Sequence, residues 1–367
     1  MDFYISKEEV VKSLNYTLGV VEKRQTKEIL SNVLIEVDES SLKLTATDLE
    51  CEISTTSTIS NFKSGGKITA PARKLNDLCR LLPDLTEIHF FLDGYNLKIE
   101  TESGKYKIST LPSEDFPVFE LEEAQSQINI SSKNLKSLIS NTSFAMARGD
   151  WKDFLNGLYL SADDKSITAV ATDTSIMAVD SATLNEAISE NIDGIVPRKS
   201  IIEIGKLVNE ESENAVIKLG HRCISINISG TTFVSKLIEG KYLNYEAGIP
   251  FGESSILAVD RKMFSESLSR VSVLMNEKYR EVKFLTKENS LNISANNPAK
   301  EQGEENLVCE YKGEEIEIAF DVNYLQVILS AMNSDKIEIK FFGPDKSCMI
   351  TDPTSNDLKY MVMPVLI

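Results

Sequence analysis

Apolar residues recur along this chain with two spacings. A three-to-four-residue spacing predicts amphipathic helices over 7–18, 72–82, 132–147, 198–209, 260–275 and 321–332. In the second, Leu75, Leu78 and Leu82 share a face opposite Arg73, Asp77 and Arg80. In the fourth, Ile201, Ile204 and Val208 turn inward and Lys199, Glu203 and Lys206 outward. Strict alternation, as in Ile224-Ser225-Ile226-Asn227-Ile228, predicts half-buried strands. Such strands follow the first helix of each third of the chain: Val33–Val37 then Leu42–Thr45, Gly157–Leu160 then Ile167–Val170, Val282–Leu285 then Leu291–Ser294. The pattern predicts an α+β unit of two helices and several short antiparallel strands, made three times.

Short motifs keep the same beat. Thr45-Ala46-Thr47-Asp48 returns as Val170-Ala171-Thr172-Asp173 after 125 residues, and as Ser294-Ala295-Asn296-Asn297 after a further 124. Pro71-Ala72-Arg73-Lys74 opens one helix, Pro197-Arg198-Lys199 a second and Phe320-Asp321-Val322 a third. A period this long is domain-sized rather than solenoid-sized. We expect three domains, at 1–121, 128–247 and 250–367, with linkers near Glu120–Gln127 and Glu246–Ser255.

Charge changes this picture. The net charge of −17 argues by itself against nucleic acid, but its distribution is uneven. The six helical stretches hold 13 basic and 7 acidic residues, a balance of +6 that leaves −23 for the rest of the chain. Each polar helix face is open to two readings: an ordinary solvated surface, or part of a common basic surface made by repeat-equivalent helices. The five cysteines form no C-x-x-C pair, which fits a reducing compartment and argues against structural zinc. The chain shows neither a signal-length apolar run nor a membrane-length one, so a cytoplasmic protein is expected.

The chemistry of self-contained enzymes is missing. The sequence has two histidines and none of the G-x-S-x-G, P-loop, dinucleotide or H-E-x-x-H patterns. Asp48 and Asp173 are repeat equivalents, and Asn297 replaces them in the third copy, which favours a shared turn over paired catalytic carboxylates. No cofactor and no metal are expected. A nuclease or hydrolase would need a clustered acid set or metal site that the sequence lacks.

The repeated motifs, with Ser109-Thr110-Leu111-Pro112, Leu155-Asn156-Gly157 and Tyr360-Met361-Val362-Met363-Pro364, resemble the β sliding clamp family of bacterial DNA polymerase III along the whole chain. The resemblance implies three clamp-type domains that close a ring as a head-to-tail dimer around duplex DNA. It implies a non-catalytic processivity factor that tethers the polymerase. Its partners would be double-stranded DNA, a second copy of the chain, and the polymerase α subunit, clamp loader and repair proteins through short peptides. A triplicated protein-binding scaffold without DNA is the alternative. Twelve helices about 10 Å wide would make a circle of roughly 120 Å, with room for a duplex inside.

The resemblance also assigns positions. DNA contacts would fall to Arg24, Arg73, Arg148, Trp151, Lys152, Arg198 and Lys199. A partner-peptide cleft would use Leu155, Thr172, Thr174, Ser175, Ile176, Met177, Leu243, Ser347, Met361, Met363 and Val365, with Lys152 beside it. Here the chain departs from the family: Thr174-Ser175-Ile176-Met177 stands for the usual Gly-His-Arg-Leu, and Tyr242-Leu243 for Phe-Pro. Without the resemblance, the same methionines read as core packing. The dimer seam would set Lys74, Lys105 and Ile108 against Val273, Leu274, Glu301, Glu304 and Glu305.

Overall fold

The computed structural model describes residues 1–21, 27–119, 126–188, 190–208, 214–275 and 280–365. All six predicted helices form: α1 (Lys7–Thr17), α2 (Ala72–Leu81), α3 (Ser132–Thr142), α4 (Arg198–Leu207), α5 (Arg261–Ser272) and α6 (Val322–Ala331). The first helix of each repeat starts on a capping side chain. Ser6 accepts from the Glu9 N–H at 3.3 Å, Ser131 from Asn134 at 3.1 Å and Asp260 from Met263 at 2.8 Å. Each cap satisfies a backbone donor that the first turn leaves unpaired.

Two predicted helices are too long. The third stops at Thr142, whose hydroxyl donates to the Leu138 carbonyl at 2.5 Å, and the chain tightens into a 3-10 turn over Ser143–Ala145. The fifth stops at Ser272, whose hydroxyl donates to the Ser269 carbonyl at 2.8 Å. Hydroxyls that bond back onto the backbone compete with helix continuation.

Two predicted faces also need correction. Glu203 is buried rather than outward, folded against Gly19 and bonded to Lys206 at 2.7 Å. In α2, Asn76 and Cys79 lie deeper than the half-buried Leu78. Arg73, Asp77 and Arg80 are exposed as expected.

Six strands at the repeat boundaries carry the functional argument: β1 (Cys51–Thr58), β2 (Lys105–Ser109), β3 (Ile176–Thr183), β4 (Thr231–Lys236), β5 (Gln302–Val308) and β6 (Lys359–Val362). An eight-stranded antiparallel sheet runs from the first repeat into the second through β1 and β4, with Ile53 opposite Phe233. A nine-stranded sheet runs from the second into the third through β3 and β6, with Ala178 opposite Tyr360. The first repeat's own five-stranded sheet ends on β2, and the third repeat's four-stranded sheet ends on β5.

The described residues form two compact units. One, within 1–136, 188–192 and 199–237, holds the five- and eight-stranded sheets. The other, within 137–187, 193–198 and 238–367, holds the four-stranded sheet and nearly all of the nine-stranded one. Compactness follows the shared sheets because ladder pairs bring more of the chain together than a repeat border separates. Among the described residues no helix is long and apolar enough to cross a membrane, and no group of three or more His, Cys, Asp or Glu is placed to hold a metal. All five cysteines are buried thiols.

Candidate functional site

The repeated motif is a side-chain-held turn in each copy, built the same way in the first two and longer in the third. Asp48 accepts from the N–H groups of Glu50 and Cys51 at 2.9 and 2.8 Å. Asp173 accepts from Ser175 and Ile176, both at 2.9 Å, and Asn297 from Ala299 and Glu301 at 2.9 and 3.1 Å. A side-chain oxygen suffices for this turn, so an amide replaces a carboxylate in the third copy. Thr47 and Thr172 brace the first two from behind, each donating to the strand that follows.

Beyond the second turn, three strands place methionines in one row. Met177 on β3 lies opposite Met361 on β6, which lies opposite Met349 on the strand Cys348–Thr351. Side chains two residues apart share a face of a strand. Just past the strand ends, two residues on from this row, come Ser175, Met363 and Ser347, with the Met363 N–H bonded to the Ser175 carbonyl at 2.8 Å. The inner row is buried, while Met363 is 54% exposed. Val170, Val179, Ile195 and Tyr242 complete this floor, and Leu243, Phe154, Tyr159, Tyr245 and Ile249 pack on it half-buried. Tyr242 stacks on Tyr159 at 4.7 Å and meets Phe154 edge-on at 6.2 Å. Its hydroxyl donates to the Val170 carbonyl at 3.4 Å, and burial pushes the phenol's pKa well up, so it stays a neutral donor.

The fold brings some of the expected cleft positions together and sets others apart. Met177 and Met361 belong to one core cluster with Leu243 packed on it, and Met363 and Ser175 are joined by a backbone bond beside it. Leu155 is buried in the 3-10 turn Asp153–Asn156, Thr172 is buried under the turn, and Thr174 is exposed on it. Ile176 pairs with Val362, so alternation turns both to the opposite face; it backs the cleft and does not line it. Val365 lies elsewhere too. Its N–H donates to Ala319 at 2.8 Å, and it borders a polar cavity of about 680 Å³ on the four-stranded sheet, with Arg280, Lys283 and Glu304.

The equivalent groove at the first boundary is charged. Glu50 and Glu52 stand where Ser175 and Met177 stand in the second copy. Lys236, equivalent to Met363, pairs with Glu50 at 3.1 Å, and Glu52 accepts from the Phe119 N–H at 3.2 Å. Burial raises the pKa of the Glu52 carboxyl. One boundary thus offers an apolar face and the other a charged, internally bonded one.

The edge strands carry opposite charge. On β2, Lys105, Tyr106 and Lys107 are exposed and Ile108 is half-buried; Lys74 on α2 is exposed. Past the end of α5, Val273 is exposed and Leu274 half-buried, and a Cβ on Gly303 of β5 would come within 2.9 Å of Leu274 Cδ1. Glu305 holds Arg270 through two bonds of 2.7 and 2.9 Å, Glu304 accepts from Asn292 and Glu301 from Asn297.

Comparison with known proteins decides the family. Three family models cover the chain in order: the N-terminal domain of the DNA polymerase III beta subunit over 1–120, its central domain over 129–244 and its C-terminal domain over 247–366. The chain belongs to the DNA polymerase III beta subunit family. It is 36% identical over 365 residues to the beta sliding clamp of Pseudomonas aeruginosa and 32% to that of Escherichia coli K12, covering 100% of each chain. The crystal structure of the P. aeruginosa DNA polymerase III subunit beta superposes with a TM-score of 0.97 at 35% identity, and the same clamp bound to griselimycin with 0.98. A Caulobacter crescentus beta sliding clamp gives 0.94 at 29% identity; all three comparisons cover 100% of both chains.

The cations expected from this family are already partly engaged. Arg24 lies outside the described residues. Arg73 donates to the Val21 carbonyl at 2.6 Å and Arg198 to the Met146 carbonyl at 2.9 Å, equivalent carbonyls beyond α1 and α3. Burial, and then Arg148 nearby, lower the pKa of the Arg198 guanidinium. Trp151 is exposed, with the Lys152 ammonium 5.1 Å from its ring centre. Lys199 is not an uncommitted cation: it pairs with Asp48 at 2.5 Å. Burial works against ionising Asp48, but Lys199 and two backbone N–H groups outweigh it and keep the carboxyl below its usual range.

Sequence reasoning missed Met349, Tyr159, Tyr245 and Phe154 in the cleft, and Tyr106 and Gly303 on the edges. Cross-strand register selects the cleft residues, and no sequence spacing reveals it. Tyr106 had a signal: Phe233 and Tyr360 follow it at equal steps of 127 residues.

Proposed function

We propose that this chain is a DNA sliding clamp whose domains, 1–121, 128–247 and 250–367, join head to tail with a second copy into a ring around duplex DNA. It has no catalysis of its own and works in the cytoplasm, tethering the polymerase and other DNA enzymes. Its relatives' names favour this over a protein-binding scaffold.

One observation carries the ring. Three strands are equivalent through their ladder partners: Ala46 faces Ile53, Ala171 faces Ala178 and Ala295 faces Gly303. Three more are equivalent likewise: Ile99 faces Tyr106, Ile226 faces Phe233 and Ile350 faces Tyr360. Two of the three possible junctions exist within the chain. The third would join β2 to β5, and both are edge strands. Phe233 and Tyr360 are fully buried in their junctions, whereas Tyr106 is 38% exposed. Pairing with a second copy by the same rule sets Tyr106 over the partner's Gly303, beside Leu274, and Lys105 opposite the partner's Glu304. The pairing is heterologous and closes after two chains.

DNA would be held weakly by Arg73, Arg148, Trp151, Lys152 and Arg198, with Arg24 and Lys199. Lys199 contributes less because Asp48 already neutralises it. The methionine face would take a short extended peptide with Leu and Phe anchors from the polymerase α subunit, clamp loader or repair proteins. Loading onto nicked circular DNA tests the whole reading. Loaded protein should survive salt that strips it from short linear duplex, and linearising the circle should release it. Tight, salt-insensitive binding to linear ends would overturn the sliding model.

A further inference from the structure

Three methionines form one row of the core cluster at the cleft, a fourth lies two residues on from Met361, and their exposure is graded. Met177, Met361 and Met349 form the buried inner row at 7, 3 and 8% exposure, and Met363 stands at the mouth at 54%. Its backbone is held by the bond to the Ser175 carbonyl, and it lies two residues beyond Met361, the spacing that puts side chains of an extended chain on one face. Solvent oxidants therefore reach one sulfur readily and the other three poorly. Thioethers form sulfoxides, which turn a flexible apolar side chain into a strongly polar one.

We propose that Met363 is an oxidation site that gates the cleft, with hydroperoxides as its substrate class. This rests on reading the methionine face as the peptide cleft. The sulfur lone pair attacks one oxygen of hydrogen peroxide as the O–O bond breaks and an S–O bond forms. Sulfur loses two electrons, and the departing hydroxide takes the remaining proton and leaves as water. The sulfoxide oxygen then sits where an apolar anchor must dock, and it needs a hydrogen bond that such an anchor cannot supply. A methionine sulfoxide reductase reverses the step.

The test uses the full chain, hydrogen peroxide dosed to oxidise the equally exposed Met363 and Met263 but not the three buried cleft methionines, as verified by mass spectrometry, and a methionine-free synthetic peptide bearing Leu and Phe anchors; Met363→Leu separates the effect of Met363 from that of Met263. Oxidation should weaken peptide binding at least about thirtyfold, the scale of losing a hot-spot residue, and reductase should restore it. In Met363→Leu, whose own untreated affinity is the baseline, peroxide should change binding less than about twofold. Met363 sulfoxide with unaltered affinity would overturn the gate, as would a full loss in Met363→Leu, which would implicate the buried sulfurs. If the untreated protein does not bind the peptide, the cleft reading falls and the gate with it; normal binding that ignores oxidation removes the gate alone.

Discussion

Thr174 has a φ of +79°, and its equivalent Leu49 has +77°. The left-handed region costs an L-residue roughly 1–2 kcal/mol and is worst for a β-branched one. Glycine removes that cost but adds about 0.5–1 kcal/mol of unfolded-chain entropy. Thr174→Gly should therefore stabilise the protein by about 0.5–1 kcal/mol in urea unfolding, because the turn's bonds from Asp173 and Thr172 remain. A loss of stability would mean the threonine side chain makes contacts that outweigh its strain. A second residue gives a pH signature. Burial raises the pKa of the Asp180 carboxyl, although Asn141 at 2.8 Å and the Ser181 N–H oppose this. A raised folded pKa contributes stability below the unfolded value that is lost as pH rises through the folded one. Asp180→Asn should thus gain on the parent at neutral pH, and the gain should shrink as pH falls through the carboxylate range. Thermal unfolding at several pH values reads this, and a gap that does not vary with pH would refute it.

At the scale of elements, the pattern of apolar positions located every helix, but not which side of each edge residue met the core. Glu203 read as outward because glutamate usually is; only the space left by Gly19 makes it buried. The family resemblance put Ile176 in the cleft, yet one step along a strand reverses a side chain. The cleft's wall depends on the chain's last strand. Deleting residues 363–367 removes the Met363 bond to Ser175 and the Val365 bond to Ala319. Calorimetry should then show peptide binding lost while the protein still unfolds cooperatively. Leu243→Ala with Met361→Ala should weaken the peptide by about 2 kcal/mol or more, roughly thirtyfold in Kd. Unchanged binding in both would place the partner site elsewhere.

For the molecule as a whole, the proposed seam is the element most open to test. Tyr106→Ala should weaken the dimer by about 3 kcal/mol, as expected for truncating a buried aromatic ring, and sedimentation should show monomer at concentrations where the parent is dimeric. Lys105→Cys combined with Glu304→Cys should cross-link between copies under mild oxidation. A full-strength dimer in Tyr106→Ala would reject this register. The sequence by itself determined the threefold plan, the helices and strands, and the family resemblance, because local periodicity and repeated turns are written in neighbouring residues. Tertiary structure alone decided that Met177, Met361 and Met349 form one row, that Asp48 holds Lys199, and that one boundary groove is apolar while its equivalent is charged. Apart from the local pairing of Met361 with Met349, these depend on pairings between residues about 150 to 190 positions apart, and the register of such pairs is set by the packing of whole sheets rather than by any local pattern.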